Sequence, residues 1–108
     1  MTRTPEDALR EAQIHFALMR QHAEGDLADQ LVIDAICMRL SAGVEALARL
    51  DTPTRDRLFG DAWPLMWGMR NRIAHGYMLV DTDIVRRTLE HDIPPILASM
   101  EAELADAG

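Results

Sequence analysis

Lysine is absent from this chain, and all 11 of its basic residues are arginine. Such a bias follows coding-base composition as readily as function, yet guanidinium is also the better cation for two-pronged phosphate contacts. There is one cysteine, Cys37, set between Ile36 and Met38 in an apolar stretch. Neither an intrachain disulfide nor a thiolate metal site can be built from it, so core packing is its expected role. No apolar run approaches the roughly 18 to 20 residues of a membrane span, and the N-terminus lacks the pattern of a signal peptide, so a cytoplasmic protein without membrane association is expected. No glycine-rich phosphate loop is present, and no serine or cysteine stands in a recognisable nucleophile setting. Net positive charge is missing as well. The formal charge is −7, which argues against a protein that gathers nucleic acid by long-range attraction.

What is present is helical pattern. At 108 residues and 48% hydrophobic, the chain should be one domain spanning 1–108, large enough for a single core and small enough to gain from a partner subunit. Thr4-Pro5-Glu6-Asp7 reads as a helix start, with Leu9, Ala12, Phe16 and Met19 at helical spacing and a stop near Glu24-Gly25. A second helix should extend from about Asp26 to Leu50, its apolar band wide enough to pack on two sides. A short third helix capped by Thr52 or Thr54 should end before Gly60, and a fourth should run from Asp61 or Pro64 to His75-Gly76. The last, capped by Asp81 or Thr82, meets Pro94-Pro95, which imply a bend or break. No strand alternation, repeat or low-complexity segment intervenes, so an all-α antiparallel bundle of four to five helices is expected.

The chemistry is concentrated in residues 70 to 77, Arg-Asn-Arg-Ile-Ala-His-Gly-Tyr. An arginine five residues before a histidine is not distinctive, because Arg10 with His15 and Arg86 with His91 repeat it. Only Arg70 is followed by an asparagine, and only His75 is followed by a small residue and then a tyrosine. Asn71 and His75 share a helix face, with Arg72 one turn from His75. Arg70 lies about 140° around the helix from His75 and about 7.5 Å along it, so close convergence needs local distortion or a second copy of the motif. Charge also favours this region: Arg55 to Tyr77 carries plus two, leaving minus nine elsewhere. Plainer roles are open to each residue. Arg70 can pair with Asp61 or Glu45, Asn71 can be a helix-end polar residue, and His75-Gly76 can be a C-terminal cap.

The octet and its flanks resemble a known family. Arg-Asn-x-x-x-His-x-Tyr, preceded by Trp67-Gly68-Met69 and followed by Val80-Asp81-Thr82-Asp83-Ile84-Val85 and Asp92-Ile93-Pro94, is similar to the signature of HepT-like HEPN domains over nearly the whole chain. The resemblance implies a HEPN-like helical bundle that acts as a homodimer, its cleft formed where two motifs face each other. It implies the toxin of a HEPN/MNT (type VII-like) toxin–antitoxin pair, a metal-independent endoribonuclease needing no cofactor. Arg70, His75 and Asn71 would be catalytic and Arg72 an RNA-binding residue. His75 is the natural general base for a ribose 2′-hydroxyl, and Arg70 suits the charge that develops on the phosphoryl oxygens. Tyr77 would be the site at which an MNT-type nucleotidyltransferase antitoxin attaches AMP. The competing expectation is a catalytically silent helical module that binds a nucleotidyltransferase and completes its substrate pocket, which the acidic net charge suits. His15, His22 and Glu11 make a thin case for a metal face. Trp63 and Trp67 are expected to be buried against the second helix rather than free to stack bases, and His91 should lie on a solvated face.

Overall fold

The computed structural model of the chain describes residues 4–76 and 81–107. Helix α1 (Pro5–His22) opens on a reciprocal capping box: Asp7 N–H donates to Thr4 Oγ1 at 3.1 Å and Thr4 N–H donates to the Asp7 carboxylate at 3.0 Å. It closes slightly before Glu24, because the Glu24 and Gly25 N–H groups bond three residues back, to Gln21 and His22, and tighten the chain out of the α form.

Helix α2 (Gln30–Leu47) starts later than Asp26. Asp26 turns its carboxylate onto Ala28 N–H at 2.9 Å, and Asp29 takes Leu31 N–H at 2.9 Å, so the first aspartate makes a turn and the second becomes the cap. Helix α3 (Thr52–Phe59) is capped by Asp51 rather than by either threonine: Thr54 N–H donates to its carboxylate at 2.9 Å. Hydrogen bonding from Thr54 holds the Asp51 carboxyl below its usual range. Gly60, at φ +52°, ends α3 in a conformation that β-carbon-bearing residues avoid. Helix α4 (Ala62–Gly76) follows, then α5 (Thr82–Arg87), capped by Asp81.

Pro94-Pro95 does not break the last helix. One π turn, Thr88–Asp92, joins α5 to α6 (Ile93–Ala107), with Ile93 N–H bonded to Thr88 C=O. The prolines supply no N–H for the Glu90 and His91 carbonyls, and both of these sit in the wider turn, where the proline rings are accommodated without ending the helix.

The described residues form an all-α bundle without strands. Helix α2 packs between α1 and α4, while α6 packs on α1 and α3. Cross-pairs run in opposite order along α1 and α2, Glu11 with Arg49 and His15 with Arg39, which makes the pair antiparallel. The two sides of α2 foreseen from its wide apolar band are therefore both used. Phe16, Met19, Ile36, Val44, Leu47 and Met100 lie in the fully buried centre. Arg57 ties α3 to α6 through two hydrogen bonds to Glu103, at 3.0 and 2.7 Å, which lower the Glu103 carboxyl below its usual range.

The tightest approach in the core is Gly43 of α2 against Phe16 of α1. A β-carbon at Gly43 would lie 2.5 Å from Phe16 Cε1, and the ring has no exposure through which to retreat. Gly43→Ala should therefore lower the urea midpoint. An overpacking cost of about 1–3 kcal/mol opposes a helix-propensity gain of about 1 kcal/mol. An unchanged midpoint would show that the two helices can separate freely here.

Candidate active site

Helix α4 turns Met66 and Ile73 into the core and leaves His75 on its outer side, exposed. Arg70 lies on the flank that faces α2. Its Nε donates to Glu45 Oε1 at 3.0 Å, Nη2 pairs with the same oxygen, and Nη1 donates to Asn71 Oδ1 at 3.1 Å. Its guanidinium also sits 5.0 Å from the Trp67 ring centroid. Four interactions thus fix one half-buried cation. Of the two plain partners open to Arg70 in the sequence, Glu45 is the one it meets.

Trp67 continues a ladder along α4. It stacks on Trp63 with centroids 5.9 Å apart, Trp63 stacks on Phe59 at 6.3 Å, and Arg55 lies 4.9 Å from the Trp63 ring. Both tryptophans are half-buried and pack against the core cluster, so their faces are committed within the protein. The support that Trp67 gives Arg70 was not foreseen. Its signal was the spacing Trp63, Trp67, Arg70, which places three flat groups one above another on a helix.

Within one chain the motif is only partly assembled. Arg70 and Asn71 are joined, whereas no hydrogen bond or ion pair links His75 to either among the described residues. Arg72 is exposed on the other flank of α4, beside His75 and away from Arg70. Tyr77 lies outside the described residues.

Along α2, with Ile73 of α4 on its wall, runs a groove of about 610 Å³ lined also by Cys37, Met38, Ala42 and Glu45. Asp34 and Ser41 also line it, and on α2 Met38 is 69% exposed with Leu31, 78% exposed, two turns before it on the same helix face. Burial, and then the charge of Asp34, push the Cys37 thiol above its usual pKa, in keeping with a packing role. Of the His15, His22 and Glu11 set on α1, two side chains are engaged with arginines. His15 Nδ1 meets Arg39 Nη1 at 3.2 Å and Glu11 pairs with Arg49. Among the described residues no group of three or more metal-ligating side chains converges, and no helix is long and apolar enough to cross a membrane.

The site therefore offers an immobilised arginine, an amide on its fork and an exposed imidazole on the adjoining face. No curated protein and no solved structure matches the chain. The family model described as ribonuclease HepT-like matches residues 6–103, and the chain belongs to that family.

Proposed function

We propose that this protein is the ribonuclease toxin of a toxin–antitoxin pair, cutting RNA without a metal at a cleft between two copies of the chain. The observation that carries the reading is the fixed position of Arg70. Glu45, Asn71 and Trp67 hold it on one flank of α4 while His75 stands exposed on the outer side, so an arginine and a histidine from facing copies can meet where those of one copy do not. The exposed face of α2 at Leu31 and Met38 is available as contact surface for a second copy.

In that cleft His75 accepts the proton of a ribose 2′-hydroxyl, and the 2′-oxygen attacks the adjacent phosphorus. The P–O5′ bond breaks, the 5′-oxygen takes a proton from solvent, and the products are a 2′,3′-cyclic phosphate and a 5′-hydroxyl. Arg70, with Asn71 on its fork, stabilises the charge on the phosphoryl oxygens, the incoming phosphate competing with Glu45 for the guanidinium. Arg72 contacts the strand. AMP attached to Tyr77 by a nucleotidyltransferase antitoxin adds a phosphate and a nucleoside two residues from His75, and so blocks RNA by charge and bulk.

The experiment is cleavage of a structured and an unstructured RNA in chelator by protein whose intact mass shows Tyr77 to be unmodified, with a DNA copy as control. Cyclic-phosphate ends on RNA and intact DNA are expected. Should the unmodified protein leave every RNA whole, the silent nucleotidyltransferase-binding module becomes the better reading. The existing neutralisation of Arg70 by Glu45 and the net charge of −7 favour that module.

A further inference from the structure

Among the described arginines, Arg20, Arg72 and Arg87 have no hydrogen bond, ion pair or ring contact with a described residue. Two of these three, Arg72 from α4 and Arg87 from α5, line one groove of about 360 Å³ whose floor includes Met69 and Gly68. That size lies within the roughly 300–1,000 Å³ usual for small-ligand sites. The groove shares Leu65, Met69, Thr88 and Asp92 with a deeper recess of about 190 Å³, walled mainly by apolar side chains and bordered by His91. His91 is exposed, as expected of a solvated face, and also lines this recess. Leu65 is 69% exposed over this depression. On the α4 wheel Gly68 and Arg72 fall within about 60° of His75, and Gly68 is about 10 Å from it along the axis, so the depression opens on the catalytic face.

An apolar recess flanked by two guanidiniums that have no partner among the described residues suits an occupant that is flat and apolar at one end and anionic at the other. Asp92 narrows the choice. A carboxylate beside the arginines disfavours a bare phosphate, and it accepts hydrogen bonds from a group that also carries donors, such as a base amine or ribose hydroxyl. The geometry points to a nucleotide subsite for the RNA strand flanking the scissile bond. Its base enters the recess by Leu65 and Met69, Asp92 and His91 meet its polar edge, and Arg72 and Arg87 hold its phosphate. The subsite rests on the ribonuclease reading above and extends it to α5 and the π turn, which the motif does not reach.

The test is fluorescence anisotropy of a labelled single-stranded RNA on the His75→Ala protein in chelator, titrated over a range of salt. Arg87→Ala in that background is expected to weaken binding about tenfold, the scale of one charge-assisted contact, and to lower the log–log salt slope by about 0.7, one phosphate contact on a single strand. Gly68 lines the groove and a β-carbon there meets nothing within 4 Å, so the fold accepts Gly68→Trp, whose indole is placed to obstruct the groove. It should weaken binding similarly with an unchanged melting temperature. Arg20→Ala on α1 removes the same charge elsewhere and should bind like the parent. Arg87→Ala and Gly68→Trp both matching Arg20→Ala would overturn the subsite, and so would a loss in Arg87→Ala alone, which reports a diffuse contact. If the wild type cleaves RNA in either case, only the subsite falls. If the wild type neither cleaves nor binds RNA, the ribonuclease reading falls and takes the subsite with it.

Discussion

His75→Ala is expected to reduce RNA cleavage by about 10²–10⁴-fold, the usual contribution of a positioned general base, while leaving the melting temperature unchanged. The imidazole is exposed and has no hydrogen-bond partner among the described residues, so its removal opens no cavity and orphans no buried group. Arg70→Ala is a less clean probe of the same chemistry. It would also free Glu45, unpair Asn71 and uncover Trp67, so a loss of activity there mixes catalysis with local repacking. Rate and melting temperature should therefore be read on one His75→Ala sample, in chelator, beside the wild type. Added imidazole should return part of the lost rate, because it replaces the base without replacing the side chain. Cleavage at the wild-type rate by His75→Ala would remove His75 from the mechanism, whatever the standing of Arg70.

Much of the bundle was legible because its helices carry their own punctuation. Thr4-Pro5-Glu6-Asp7 marks α1, Gly60 ends α3, Asp81 caps α5, and Leu9, Ala12, Phe16 and Met19 all lie in the core as their spacing implies. The departures arise where one residue type had two uses. Asp26 and Asp29 are both competent caps, and only the folded backbone decides which of them makes a turn instead. Pro94-Pro95 signals a bend or a break in a local reading, whereas a π turn upstream carries α5 into α6 without a break. At the site, the angular offset between Arg70 and His75 was readable from residue counts alone. Which carboxylate holds Arg70, and the stacking of Trp67 beneath it, required the third dimension. The Arg72–Arg87 depression was less legible still, because its two arginines come from different helices and no local pattern relates them.

If the proposed dimer forms through the face of α2 that carries Leu31 and Met38, Met38→Glu is expected to separate the copies and to abolish cleavage with them. Met38 is 69% exposed in one chain, so a glutamate there costs the fold nothing, but at an interface between copies it would be a buried charge without a partner. Asp34 and Glu45 lie on the same groove, and a third carboxylate from each copy adds like-charge repulsion. Sedimentation should show a monomer, with the wild-type helical signal and melting behaviour retained at low concentration. A mixing experiment separates loss of the cleft from damage to a single chain. Arg70→Ala and His75→Ala subunits should each be inactive alone, but if the cleft is shared a mixed dimer would bring the Arg70 of one copy to the His75 of the other. It should regain activity that neither parent has. A Met38→Glu monomer cutting RNA at the wild-type rate would place a complete site within one chain. Arg70 would then have to leave Glu45 and cross about 140° of helix surface to reach His75.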